Sequence, residues 1–244
     1  METAVAKAFA VLEALSRARG PVRLSALAAD LGLQKSTAHR VLGELVALGY
    51  VTQDEASGLY RPTLRTWELG TAVVADLPVK QVAAGALQQL HARTGETVSL
   101  VVRDGDDALY LDKLVSPRPL RFTTRVGSRL PLPFTAGGTA LLAASPDGEA
   151  VVERMAARDD LGHRLDVDRL LAELGTTRER GYAIATGHPG LVGIAAAVLD
   201  RDDEPVAALS VSAPSDRLSE ADRPAVVEAV LTTTAQLAEA IGRL

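Results

Sequence analysis

Apolar positions near the start of the chain recur three and four apart: Val5, Phe9, Leu12 and Leu15, with Ala8 and Val11 beside them. That spacing predicts an amphipathic first helix over residues 3–17, which Gly20-Pro21 ends. Ser25 is expected to N-cap a short second helix, Ala26 to Leu31, with Gly32 as the break after it. A third helix is expected from about Gln34 to Leu48, with Ala38, Val41, Leu42, Leu45 and Leu48 on one face and Gly49 at the C′ position. The period then changes. GYVTQ and LYRPT read as short strands around the turn DEASG. Three helices followed by a β-hairpin is the order of a winged helix-turn-helix. The segment LRTWELGTAVVADL predicts a linking helix with Trp67, Val74 and Leu77 on a stripe shared with Gly70 and Thr71, ended by Pro78. The expected division is therefore a winged helix over 1–63, a linker helix over 64–77 and a second domain over 78–244.

In the second domain the two periods alternate. A helix is expected at about 79–94, strands near 97–103 and 107–115, and a helix from about Ala136 after a basic stretch holding Pro131 and Pro133. Helices near 147–157 and 166–179 follow. Two strands, Gly193–Leu199 and Pro205–Ala213, flank the acidic tip DRDDE, and a last helix over 219–242 carries Val226, Val230, Leu237 and Ile241 on its stripe. This order predicts an α+β domain with helices at both ends of an antiparallel sheet.

Composition changes this picture only in part. With 244 residues, 47% hydrophobic and 23% charged, there is apolar material for two cores. Cysteine is absent, which removes disulfides, thiolate metal sites and cysteine nucleophiles and fits a reducing compartment. Glu2 and Glu13 interrupt the N-terminal apolar stretch, and no run approaches the ~18 residues of a membrane span, so a cytoplasmic protein without a membrane partner is expected. The net charge of −5 argues against coating nucleic acid by bulk charge. The charge is uneven, however: residues 1–70 hold 8 Lys and Arg against 7 Asp and Glu, and the remainder 18 against 24. DNA binding would have to come from cations placed on one face of the first domain.

Such a face exists in GLQKSTAHRVL. Opposite the apolar stripe of the third helix stand Lys35, Ser36, His39, Arg40, Gly43 and Glu44, and Lys35, Ser36 and Thr37 occupy the first turn. Recognition helices touch base edges with that part. Arg40, one turn on, suits a guanine edge or a phosphate. Arg23 and Ser25 precede or open the second helix, and Arg61 lies on the wing. The plainer alternative is a solvated helix surface; the ordered set of helix, helix, short break, polar helix start, glycine and hairpin favours DNA. His39 reads as a phosphate neighbour.

LSALAADLGLQKSTAHRVLGELVALGYV followed by YRPTLRTWELG resembles the DNA-binding half of the IclR-type transcriptional regulators. RVGSRLPLPFTAGGTALLAASP and GYAI…PGLVGIAAAV…VAALSVSAPSDRLSE resemble their second half, so the likeness covers nearly the whole chain. The resemblance implies a dimer or tetramer with an N-terminal winged helix and a C-terminal GAF-like effector-binding domain. It further implies DNA contacts at Lys35, Ser36, Thr37 and Arg40.

The second domain offers its own candidates. Thr135-Ala136-Gly137-Gly138-Thr139 precedes an apolar helix, and amides at a helix start favour an anion, although a tight strand-to-helix connection explains the glycines equally well. Ser210 and Ser212, two apart in a strand, point to one face. The resemblance favours a pocket there and implies effector contacts at Ala136, Gly137, Leu191, Gly193, Ser210 and Ser212. The chain departs from the family at Thr139, where Lys or Arg is usual, at Gly193, where a cysteine or polar residue is frequent, and in Ala185-Thr186-Gly187-His188, which lacks the usual acidic residues and is about two residues short. These departures predict a less polar pocket, suited to a small carboxylate with an apolar or aromatic body. His188 is a further possible ligand contact.

Catalysis is not expected. The four histidines are scattered without metal-binding spacing, DRDDE reads as a solvated turn, and no GxSxG nucleophile is present. No metal or cofactor is implied. The expected partners are a double-stranded, pseudo-palindromic DNA operator, a small-molecule effector and further copies of the chain. The alternative is a winged-helix protein-interaction module with a structural or small-molecule carrier domain; steep salt dependence of binding would separate the two.

Overall fold

The computed structural model describes residues 3–121, 124–158, 160–161, 165–186 and 189–243. They form two compact units, 1–75 and 76–244.

In the first unit, helix α1 (Ala4–Arg17) begins at Thr3, whose hydroxyl accepts the Ala6 amide at 3.2 Å. Its buried residues are Val11, Ala14 and Leu15, which join Leu27, Val41, Leu42, Leu45, Val51 and Tyr60 in one core. Val5 and Phe9, expected on that stripe, are 66% and 62% exposed, because the core covers only the second half of the helix. Helix α2 (Leu24–Asp30) starts earlier than expected. Val22 exchanges two backbone hydrogen bonds with Tyr60, at 2.8 and 2.9 Å, which hold the chain extended up to Arg23. Arg23 is therefore the N-cap, without a side-chain bond, and Ser25 lies inside the first turn and caps nothing.

Between α2 and α3 (Lys35–Ala47) the turn depends on Gly32, at φ 62°. The Gly32 amide donates to Ala29 at 3.2 Å and the Leu33 amide to Ala28 at 2.8 Å, the pair of bonds that closes a helix through a left-handed residue. Helix α3 buries Ala38, Val41, Leu42 and Leu45; Leu48, also expected inside, is its C-cap and is 57% exposed. Strands β1 (Val51–Gln53) and β2 (Tyr60–Pro62) form the wing. Asp54 closes it, accepting from the Ser57 amide at 2.7 Å and hydroxyl at 2.6 Å, and these bonds hold its carboxyl below the usual range.

Helix α4 (Leu64–Ala75) buries nothing. Its start is tied to the end of α3, where Arg65 donates to the Leu48 carbonyl at 2.7 Å and stacks on Tyr50, 4.9 Å from the ring centre. Trp67 is 65% exposed, and Leu77 lies beyond the helix as N-cap of the next one.

The second unit is built on a six-stranded antiparallel sheet with strand order β5-β4-β3-β8-β7-β6. The strands are β3 (Thr97–Asp104), β4 (Asp107–Leu114), β5 (Arg129–Pro131), β6 (Ala183–Ala185), β7 (Leu191–Leu199) and β8 (Pro205–Pro214). β5 and β6, three residues each, carry too little pattern to be predicted. Pairing aligns Thr97 with Ser212 and Gly193, Ser99 with Ser210 and Ala195, and Val101 with Ala208. Side chains in these rows share one face, and Val98, Leu100, Leu209, Val211 and Ile194 share the other.

Both faces are covered, so helices flank the sheet rather than sit at its ends. α5 (Pro78–Thr94) and α9 (Arg223–Ile241) pack together against the second face. On the first face lies α6 (Ala136–Ala144), backed by α7 (Gly148–Ala156) and α8 (Val167–Arg180). α9 starts at Arg223 rather than 219, since Ser219 and Asp222 form a hydrogen-bonded turn at 2.5 Å before it. The DRDDE tip is an ordinary turn in which Asp200 accepts the amides of Asp202 and Glu204 at 2.9 and 3.0 Å. No helix among the described residues is long and apolar enough to cross a membrane.

Candidate functional site

Two surfaces carry the candidate residues. On α3, Lys35, Ser36, His39 and Arg40 are exposed on the face opposite the buried Ala38, Val41 and Leu42, while Thr37 is half-buried. Gln34 makes no side-chain cap, so the first-turn amides of α3 remain open to an outside acceptor. Arg40 pairs with Glu44 one turn on, at 2.8 Å, with both side chains more than half exposed. Such an exposed pair holds little energy, so the Arg40 guanidinium is not committed to Glu44. Arg23 and Ser25 are exposed at the start of α2, and Arg61 is exposed on β2. The rigid frame beneath them is the buried helix core and the Gly32 turn.

The second surface is internal. A cavity of about 150 Å³ lies between the first face of the sheet and the start of α6, and it gathers Ala136, Gly137, Leu191, Gly193, Ser210 and Ser212. Strand alternation puts Ser210 and Ser212 on one face, as the sequence indicated, and that face lines the cavity. The register adds Thr97 beside Ser212 and Ser99 beside Ser210. Tyr110, Thr124 and Thr135 bring further hydroxyls, and Leu130, Phe134 and Ala185 supply apolar wall. The described lining contains no charged side chain and seven hydroxyls.

Of the hydroxyl residues missed, Thr97 and Ser99 were legible as a period-two pair like Ser210 and Ser212. Tyr110 and Thr124 had no such signal, because only the fold brings them in. Burial pushes the Tyr110 hydroxyl up from its usual range, while the Thr124 and Thr135 side chains pull it the other way. It is a neutral donor at ordinary pH.

The start of α6 shows which glycine does what. Thr135 caps the helix, its hydroxyl accepting the Gly138 amide at 2.9 Å. The Thr139 amide turns back to the Thr135 carbonyl at 2.9 Å. The amides of Ala136 and Gly137 have no such acceptor among the described residues and open on the cavity. A Cβ on Gly138 would stand 2.2 Å from the Leu132 carbonyl oxygen, so that glycine serves the tight connection and not a ligand. At Gly193 a Cβ would meet Ala136 at 3.2 Å; the bare backbone lets α6 lie close over β7. His188 lies outside the described residues, as does His163.

Comparison with known proteins bears on both surfaces. Residues 4–55 match the IclR helix-turn-helix domain, and residues 71–239 match the C-terminal domain of bacterial IclR transcriptional regulators. The chain is 32% identical to the probable transcriptional regulator SauR of Cupriavidus necator, over 88% of each chain. It is 31% identical to the transcriptional repressor AllR of Escherichia coli, over 98% of this chain and 90% of the repressor. Among solved structures it resembles an IclR homologue from Microbacterium hydrocarbonoxydans complexed with 4-hydroxybenzoate. There the TM-score is 0.83 and the identity 27%, with 99% of this chain and 100% of the homologue covered.

Proposed function

Because this chain belongs to the IclR family of bacterial transcriptional regulators, with a helix-turn-helix and an effector-binding domain, we propose that it binds a pseudo-palindromic operator as a dimer or tetramer and that a small aromatic or apolar carboxylate alters that binding. It is a regulator and not an enzyme, as the family and its relatives are. In the proposed complex α3 enters the major groove, and Lys35, Ser36, Thr37 and Arg40 meet base edges and phosphates. Arg23, Ser25, His39 and Arg61 flank them on the backbone.

The observation that carries the effector reading is the cavity. It is built from hydroxyls and two helix-terminal amides around an apolar wall, and about 150 Å³ is room for one aromatic ring. Ala136 and Gly137 amides with Ser210 and Ser212 suit a carboxylate; Leu191 and the bare Gly193 suit the ring. The 4-hydroxybenzoate held by the Microbacterium homologue supports that class. Residues 64–77 join the two units, and an effector that prefers one arrangement of them changes operator affinity by that preference and no more.

The test is a gel shift on the DNA upstream of the protein's own gene, at near-physiological salt with excess competitor, for wild type and Arg40→Ala. Specific binding weakened in the variant and released by a one-ring carboxylate supports the reading. Equal binding by both proteins refutes the role of Arg40, and an operator affinity blind to every saturating carboxylate refutes the effector.

A further inference from the structure

Several cations of the second unit are paired with carboxylates: Lys80 with Asp112, Arg118 with Glu96, and Arg129 with Asp104. Lys113 differs: it has no carboxylate partner among the described residues. Its ammonium donates instead to the backbone carbonyl of Thr124, at 2.5 Å, and the side chain of Thr124 lines the cavity.

The sheet explains why a lysine stands there. β3 and β4 pair with a register shift between Leu100 and Val101, so that Val101 faces Tyr110 while Ser99 faces Lys113. The extra residue in β4 turns Tyr110 and Lys113, three apart in sequence, to the same face; regular alternation would oppose them. Ser99 and Tyr110 both line the cavity. Lys113 therefore continues the Ser99–Ser210 row, whereas Asp112 points to the opposite face and meets Lys80 there.

We propose that Lys113 is the cation that makes this cavity select an anionic effector over its neutral isostere. The inference rests on reading the cavity as the effector site. The described lining side chains are uncharged, and a carboxylate taken from water into such a site needs a countercharge as well as hydrogen bonds. The Thr124 carbonyl is a neutral acceptor, and an ammonium gains by exchanging or sharing it with a carboxylate, since a charge-assisted hydrogen bond is the stronger one. A primary amide of the same shape offers no such gain. The competing account makes Lys113 a strut that only holds residue 124 in place.

The experiment titrates the full-length protein by calorimetry with two matched pairs, benzoate against benzamide and 4-hydroxybenzoate against 4-hydroxybenzamide. The proteins are wild type, Lys113→Met and Lys113→Arg. Wild type is expected to prefer the acids. Lys113→Met, which keeps the apolar stem, is expected to lose about ten- to hundredfold in affinity for the acid, the range of a charge-assisted hydrogen bond. It should bind the amide as before, and Lys113→Arg should recover most of the acid affinity. Equal losses on acid and amide identify a strut and overturn the proposal, as does unchanged acid binding. Wild type that binds acid and amide alike leaves the cavity reading standing and removes Lys113 from it. Wild type that binds none of the four overturns the cavity reading, and this inference with it.

Discussion

Two adjacent glycines at the start of α6 should respond to alanine in different ways. At Gly138 the added methyl would lie 2.2 Å from the Leu132 carbonyl oxygen and 2.6 Å from its Cα. Both are backbone atoms of a wholly buried residue whose amide is bonded to the Asp106 carbonyl at 3.0 Å, so no side-chain rotation relieves the clash. Overpacking of this kind costs about 3 kcal/mol at the upper end of its range. Displacing the Thr135 cap adds about 1 kcal/mol, and alanine's better helix propensity returns about 1 kcal/mol. The net expectation is about 3 kcal/mol, which for a unit of this size lowers Tm by roughly 6–12 °C.

At Gly137 the methyl meets only the Val101 side chain, at 3.2 Å, and helix propensity offsets the small adjustment; Tm should stay within ~3 °C. Gly85, exposed in α5 with nothing within 4 Å, should gain about 1 kcal/mol as alanine. Scanning calorimetry on the three variants checks the order. If Gly138→Ala melts with Gly85→Ala, the close approach of α6 to residue 132 is wrong, and so is the placement of the Ala136 and Gly137 amides that depends on it.

Other substitutions test the two surfaces and the ion pairs of the second unit. Arg40→Ala should weaken operator binding by about 1–3 kcal/mol and relax specificity at the base it reads, whereas Lys35→Ala should reduce the salt slope of binding by about one. Ser210→Ala with Ser212→Ala should weaken effector release of the operator, seen as a higher half-release concentration, while affinity of the effector-free protein for DNA stays unchanged. Glu96 is 2% exposed and shared by Arg118 and Arg217, the latter through bonds of 2.7 and 2.8 Å; Glu96→Ala leaves two arginines that reach solvent and should destabilise the second unit by about 1–3 kcal/mol in urea unfolding. Asp147 is held below its usual 3.8 chiefly by two hydrogen bonds from Arg103. Because its folded pKa is depressed, its contribution is present above pH 3.8 and is lost as pH falls through the lower folded value. Asp147→Asn should flatten the acid limb of the stability curve by less than ~1 kcal/mol, since the carboxylate is half exposed.

The two functional surfaces differ in how they are encoded, and the sequence alone went further with the first. Helix periodicity, Gly32 and the polar start of α3 are local features, so the helix-turn-helix and its exposed Lys35, Ser36, His39 and Arg40 were legible without coordinates. Hydroxyls two apart in a strand share a face wherever that strand lies, and this made Ser210 and Ser212 readable as a pair. What surrounds them is another matter. Which half of α1 is covered, where α2 begins and why Ser25 caps nothing depend on contacts with Tyr60 and the helix core, far away in sequence. Tyr110 reaches the cavity through strand register and Thr124 through the loop that follows β4, and Lys113 shares the Ser99 face only because of one extra residue in β4. Local patterns encode elements because turns, caps and alternation act over a few residues. Register and close approach are settled by pairing between distant strands and by backbone contact such as that between Gly138 and Leu132, so the chemistry of the cavity was decided in the tertiary structure.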